Sequence, residues 1–104
     1  MLSRTADNLY WLSRYVERAE NLARILGVAE RLATLPSAYA GASSEWESAI
    51  ATAGCTDAFY NNYSQASRAN VIEFIVASKA NPSSIRACIE TARANARAVR
   101  TALT

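Results

Sequence analysis

The chain has 104 residues, a formal net charge of +2 and no histidine. This length fits one domain, and so small a net charge predicts neither a nucleic acid nor a membrane surface as the partner. The lack of histidine excludes a Ser–His or Cys–His nucleophile pair and any imidazole-ligated metal within this chain, so we predict no metal and no cofactor.

The first predicted element is a long helix that ends near Thr34, just before Pro36. Apolar residues recur along it at spacings of three and four in two adjacent stripes. Two such stripes indicate a helix with neighbours on two sides, as in a bundle. The first stripe contains Leu2, Thr5, Leu9, Leu12, Val16, Ala19, Ala23 and Leu26, and the second contains Trp11, Tyr15, Leu22, Ile25, Ala29 and Leu32.

The middle of the chain predicts shorter elements. Residues 36–43 have the composition of a loop, and a short helix is predicted from Ser44 to Gly54, with the glycine just after its end. Residues 56–63 are ambiguous, and Asp57 to Tyr60 could form one helical turn before Asn61-Asn62. A third helix follows, capped by Ser64 or Ser67. Its β-branched residues would also suit a strand, but no other segment offers a strand with which it could pair.

The last predicted helix starts at Pro82, near the first helical position. Its apolar stripe contains Ile85, Ile89, Ala92, Ala96, Val99 and Leu103. The pattern continues to the last residue without a stop signal, so we expect the chain to be the N-terminal fragment of a longer protein. Together these elements predict an all-α fold, an antiparallel bundle of about four helices with long first and last members.

A cluster of charged residues on the first helix is the first candidate site. Helical spacing places Glu17 and Glu20 on one side, within reach of one metal ion or one shared proton. Exposed salt bridges explain the same pattern and are the simpler interpretation. The neighbouring polar residues are Ser13, Arg14, Arg18, Asn21 and Arg24.

A stripe of arginines on the last helix is the second candidate site. Forked guanidinium groups suit phosphate or carboxylate ligands, and the stripe could also face Glu17 and Glu20 across the bundle. A solvated basic face is the alternative. The stripe contains Arg86, Arg93, Arg97 and Arg100.

The remaining candidate functional residues are three aromatic residues and the two cysteines. Tyr10, Trp11 and Tyr15 form a patch that favours core or interface packing over base stacking. Cys55 and Cys88 are too few for a disulfide framework and are predicted to be buried free thiols. No signal-peptide segment precedes them, which favours the cytoplasm.

Two segments resemble the bacterial alpha-E family. Residues 8–24, with Glu17-Arg18 as the Glu-Arg motif, are similar to the family's opening motif, and a second block begins at Asn81-Pro82-Ser83-Ser84-Ile85 and continues through Ala92 to Arg100. The chain departs from the family pattern in having Ser13 in place of Gly, and Ala94 and Thr101 in place of Glu. The missing Glu at Ala94 removes a possible carboxylate from the second block.

The resemblance implies an all-α protein of the cytoplasm that is associated with ATP-grasp-type ligases and transglutaminase-like proteases in peptide synthesis or modification. It also implies polar positions on otherwise apolar helices. These are Glu17, Arg18, Glu20, Asn81, Arg93, Asn95, Arg97 and Arg100.

Two functional hypotheses follow. The preferred one is a non-enzymatic accessory module that binds a protein partner, such as an ATP-grasp-type ligase or its own copy, through its first and last helices. Its binding residues would be Arg14, Arg18, Arg24, Asn81, Arg93, Asn95, Arg97 and Arg100. The alternative is part of an enzyme of peptide amide chemistry, with Glu17 or Glu20 as the acid or base.

Overall fold

The computed structural model describes residues 2–34 and 44–103, and each regular element in these two ranges is an α-helix. The all-α class and the long first and last helices are therefore confirmed. The predicted number of about four helices is not confirmed, because the described residues form five. They are α1 (Leu2–Thr34), α2 (Ser44–Thr52), α3 (Thr56–Asn62), α4 (Arg68–Val76) and α5 (Ile85–Leu103).

Helix α1 is the axis of the fold. It runs for 33 residues and ends at Thr34, as predicted, and at 1.5 Å per residue it is about 50 Å long. The whole molecule measures 58 × 26 × 16 Å. The two predicted apolar stripes are only partly covered, because Leu9, Trp11 and Leu32 are each nearly half exposed. The described residues therefore do not supply neighbours on two sides along the full length of the helix.

The hydrophobic core lies between the C-terminal half of α1 and the three short helices. The rings of Phe59 and Phe74 meet edge to face at 5.5 Å, and Tyr63 stacks on Phe59 at 5.0 Å. Each such pair contributes about 0.5–1.5 kcal/mol beyond the burial of its surface. The buried members of the core are Leu22, Ala29, Trp46, Ala49, Ile50, Phe59, Ala66, Val71, Phe74 and Ile75.

Helix α5 packs along α1 in the most extensive helix–helix contact of the described residues. Its buried side chains are Cys88, Ala92 and Val99, whereas Ile89 and Ala96 of the predicted stripe are exposed. The predicted stripe of α5 is therefore confirmed at Ala92 and Val99 and wrong at Ile89 and Ala96. Small side chains on the packed face let two helix backbones approach closely, which Ile89 would prevent.

The ends of α2 and α4 follow local sequence signals. Gly54 follows α2 with a φ of 72°, a left-handed conformation that costs glycine little. The Ser67 hydroxyl caps α4 by accepting a hydrogen bond of 3.2 Å from the backbone N–H of Asn70. The segment that could have formed a strand is α4, and it is helical. The predicted loop at residues 36–43 lies outside the described residues.

The turn between α4 and α5 is held by Asn81. Its side-chain amide donates to the carbonyl of Phe74 at 3.0 Å, and its side-chain oxygen accepts from the N–H of Ser83 at 3.0 Å. This second bond closes an Asx turn, a non-helical conformation that precedes the first turn of α5. The predicted start at Pro82 is therefore wrong: α5 begins at Ile85, and the Ser84 hydroxyl caps it by accepting from the N–H of Ala87 at 3.1 Å.

Candidate functional site

The two predicted carboxylates lie on the surface of α1. Glu17 and Glu20 are both exposed. Ion pairs of the described residues instead join Glu30 with Arg68 and Arg86 with Glu90. Neither carboxylate is therefore held in the water-excluded setting in which an acid–base residue gains most from its surroundings.

The arginines of α5 also lie on the surface. Arg93, Arg97 and Arg100 are exposed, and Arg86 donates to Glu90 at 3.1 Å along the same helix. Asn95 is half-buried. The arrangement is a basic helix face.

A cleft lies where the middle of α1 meets the α2–α3 corner and the α4–α5 turn. Its volume is about 510 Å³, within the range of small-ligand sites. Two of the sequence-predicted site residues, Arg18 and Asn81, are brought together in it. The lining is Arg18, Leu22, Ala53, Gly54, Cys55, Thr56, Asp57, Ala58, Ile75, Asn81, Pro82 and Ser83.

The guanidinium of Arg18 influences both cysteines. Burial raises the pKa of the Cys55 thiol and that of the Cys88 thiol, and the positive charge of Arg18 opposes the rise at both. The charge therefore lies close enough to α5 and to the start of α3 to act on both thiols. Both cysteines are free; Cys88 is buried as predicted, whereas Cys55 is only half-buried.

Asn81 has a structural task at this cleft. The two hydrogen bonds of its side chain, to the backbone of Phe74 and of Ser83, are both internal, and the residue is 7% exposed. The neighbouring hydroxyl-bearing residues Thr56 and Ser83 also line the cleft. Asn81 therefore shapes the wall of the cleft by holding the turn.

A second opening, the α1–α2 groove, lies between those two helices. Its volume is about 320 Å³, and it is lined by Asn21, Arg24, Ile25, Val28, Ala29, Leu32, Glu45, Ser48, Ala49 and Thr52. Val28 is 44% and Leu32 is 47% exposed. Glu45 places its Oε2 atom in a buried position where no described group donates to it. Such an atom costs about 1–3 kcal/mol until a donor reaches it.

The aromatic patch near the start of α1 is exposed. The rings of Tyr10 and Trp11 meet edge to face at 5.2 Å, and Trp11 lies 6.0 Å from Tyr15. The Arg14 guanidinium lies 5.9 Å from the centre of the Tyr10 ring, within reach of a cation–π contact. Arg14 is thus engaged with this patch.

Sequence reasoning missed two features of these openings. It did not place Cys55 and Cys88 near Arg18, because 33 positions divide the two cysteines and nothing local relates either of them to α1. It also assigned Ile25 and Leu32 to a covered stripe, although the groove leaves Leu32 nearly half exposed. The sequence did carry one signal of this exposure. The chain has more large apolar residues than three short helices can cover.

Two other features, a cluster of metal ligands and a helix that could span a membrane, are absent from the described part of the chain. No group of three or more Cys, Asp or Glu side chains there could hold a metal ion. None of the described helices is long and apolar enough to cross a membrane.

Comparison with known proteins gives one match. The family described as "Alpha-E: a predicted alpha-helical domain with a conserved ER motif" matches residues 1–104. A Glu-Arg pair occurs twice in this chain, as Glu17-Arg18 and as Glu30-Arg31, and Arg18 of the first pair lines the cleft of about 510 Å³ described above. Neither the curated proteins nor the solved structures contain a significant match to this chain.

Proposed function

Because the chain belongs to the Alpha-E family, we propose that it is a non-enzymatic helical module that binds a protein partner through the α1–α2 groove. The partner implied by the family resemblance is an ATP-grasp-type ligase of peptide synthesis or modification. The proposal rests mainly on one observation. Val28 and Leu32 remain nearly half exposed in a groove beside the core.

The apolar content of the groove supports a protein as its ligand. Val28, Leu32 and the half-buried Ile25 recur at spacings of three and four, so they form one apolar strip. Large apolar residues that cluster on a surface commonly mark a protein contact. An amphipathic helix laid along α1 would cover the strip with side chains of the same spacing.

The polar groups of the groove define the partner further. Glu45 has an oxygen that no described group reaches, and Arg24 and Asn21 line the same opening. A partner side chain with an N–H group, such as Arg, Lys or Gln, would satisfy Glu45 while its apolar neighbours cover Val28 and Leu32. We therefore expect a helix that carries one donor among apolar residues.

A binding experiment tests this function. The purified chain and an ATP-grasp-type ligase from the same genome are mixed, and the affinity is measured by calorimetry. We expect the double variant Val28→Ser/Leu32→Ser to bind at least about tenfold more weakly, because it removes the apolar strip. Leu9→Ser is the matched control, since Leu9 is equally exposed on α1 but lies outside the groove.

Two outcomes would contradict the proposal. The first is absence of binding by the natural chain, and the second is an equal loss of affinity in the control. The mass of the chain alone, measured by light scattering over a range of concentrations, tests the self-association expected from the sequence. A dimer that Val28→Ser/Leu32→Ser abolishes would mean that a second copy occupies the groove instead.

We also infer that α5 runs antiparallel to α1. The Arg18 charge reaches Cys88 in the first turn of α5, and the C-terminal half of α1 contacts α2 and α4. We therefore expect the rest of α5 to pack against the N-terminal half of α1. Spin labels at Asp7 and Arg97, with both cysteines replaced, should therefore lie closer together than labels at Asp7 and Arg86.

A further inference from the structure

We infer that the cleft beside Arg18 binds a small zwitterionic carboxylate of the α-amino acid type. The carboxylate would bind the Arg18 guanidinium, and the ammonium group would lie on the side of Asp57. This site is separate from the α1–α2 groove, and the inference does not depend on the proposed partner.

Arg18 is available to a ligand. Within the described part of the chain, no carboxylate lies within ion-pair distance of its guanidinium, in contrast to Arg68 and Arg86, which are both paired. A guanidinium offers a planar pair of N–H donors that matches the two oxygens of a carboxylate. An unpaired arginine at a cleft of about 510 Å³ is therefore suited to an anionic ligand.

Arg18 is an exposed residue of α1 that lines the cleft. Arg18 acts on the Cys55 thiol, which lines the cleft, and on the buried Cys88 thiol. A guanidinium that extended away from the protein into bulk water would be screened from both. The Arg18 charge therefore lies near enough to the cleft wall to favour the thiolate of Cys55.

The other lining residues select among anions. Asp57 lines the same cleft, so the formal charges of the lining cancel, and a phosphate dianion would meet a repelling carboxylate beside a single arginine. A molecule with one carboxylate and one ammonium group matches both charges. Hydroxyl groups of Thr56 and Ser83 can bond to the remaining oxygens, and Leu22 and Ile75 offer apolar contact to a side chain.

L-leucine is the probe for the test, because it combines the zwitterion with an apolar side chain. Binding to the full chain is measured by calorimetry and by the NMR shift of the Arg18 Nε–H signal. We expect saturable binding of L-leucine and a loss of at least about tenfold for L-leucinamide, which lacks the carboxylate. N-acetyl-L-leucine, which lacks the ammonium group, should also bind more weakly.

Matched variants assign the effect to the cleft. Arg18→Gln should weaken L-leucine binding at least about tenfold, while Arg24→Gln, six residues along the same helix and in the other groove, should leave it unchanged. Arg18→Lys keeps the positive charge but loses the planar pair of N–H donors, so we expect an intermediate affinity for L-leucine. Circular dichroism of each variant confirms that the helices are retained.

Several results would overturn the inference. They are the lack of saturable binding of L-leucine to the natural chain, equal binding of L-leucinamide, equal loss in Arg24→Gln, or tighter binding of inorganic phosphate than of L-leucine. Failure here would leave the ligase measurement at the α1–α2 groove unaffected, since that groove shares no lining residue with this cleft.

Discussion

The side chain of Asn81 donates a hydrogen bond of 3.0 Å to the backbone carbonyl of Phe74, which ties the last turn of α4 to the residues that precede α5. The Asn81 oxygen closes the turn by accepting from the N–H of Ser83. One buried side chain thus sets the direction in which α5 leaves the core and forms part of the wall beside Arg18.

The first prediction concerns this residue. Asn81→Ala leaves the Phe74 carbonyl without its donor in a buried place, so we expect the free energy of unfolding to fall by about 1–3 kcal/mol in urea denaturation. Asn62→Ala is the matched control, because Asn62 makes the same kind of bond at 3.0 Å to Ala58 on the surface. A loss of equal size in the control would contradict the special role of Asn81.

The second prediction concerns the aromatic core. Phe59 is 0% exposed and contacts the rings of Phe74 and Tyr63, so Phe59→Ala should lower the free energy of unfolding by about 3–5 kcal/mol. The neighbouring Tyr60 is 44% exposed, and Tyr60→Ala should cost much less. Urea denaturation of both variants gives the comparison, and similar losses would show that the core lies elsewhere.

The third prediction concerns the cap of α4. Ser67→Ala removes the acceptor for the N–H of Asn70, and we expect a loss of about 0.5–2 kcal/mol in the free energy of unfolding. Ser67→Asp retains an acceptor and should restore most of the stability. If the two variants are equally unstable in thermal unfolding, the hydroxyl does not act as a cap.

The fourth prediction concerns the thiol of Cys55. Burial raises its pKa and Arg18 opposes the rise, so the pH at which alkylation reaches half its maximum rate should lie above that of the unfolded chain. Arg18→Gln removes the charge that favours the thiolate and should move this midpoint to still higher pH. A Cys88→Ala background isolates Cys55. Arg24→Gln is the control, and an equal change there would mean that Arg18 is not near the thiol.

Local signals in the sequence were enough to predict several elements. The end of α1 before Pro36, the glycine after α2 and a serine cap of α4, for which both Ser64 and Ser67 were candidates, each depend on residues within one or two turns. Such features are encoded by backbone conformation and short hydrogen bonds. They need no knowledge of the tertiary contacts.

The packed face of α5 could not be predicted in this way. Its apolar residues lie mainly on one side, but Cys88 and Ile89 are adjacent at the edge of that side, and the packing against α1 decides which of the two is covered. Cys88 and Ala92 are covered and Ile89 is not. For the same reason the sequence could not show that Arg18 lies near both cysteines, since their proximity depends on three separate elements.

The most direct test of the proposed partner-binding function is site-specific photo-cross-linking to the ATP-grasp-type ligase. A photoreactive side chain is placed at Val28, in the α1–α2 groove, or at Arg31, which is exposed on the same helix but does not line the groove. Our account predicts a cross-linked complex from position 28 and little or none from position 31. Equal cross-linking from both positions, or from position 31 alone, would contradict it.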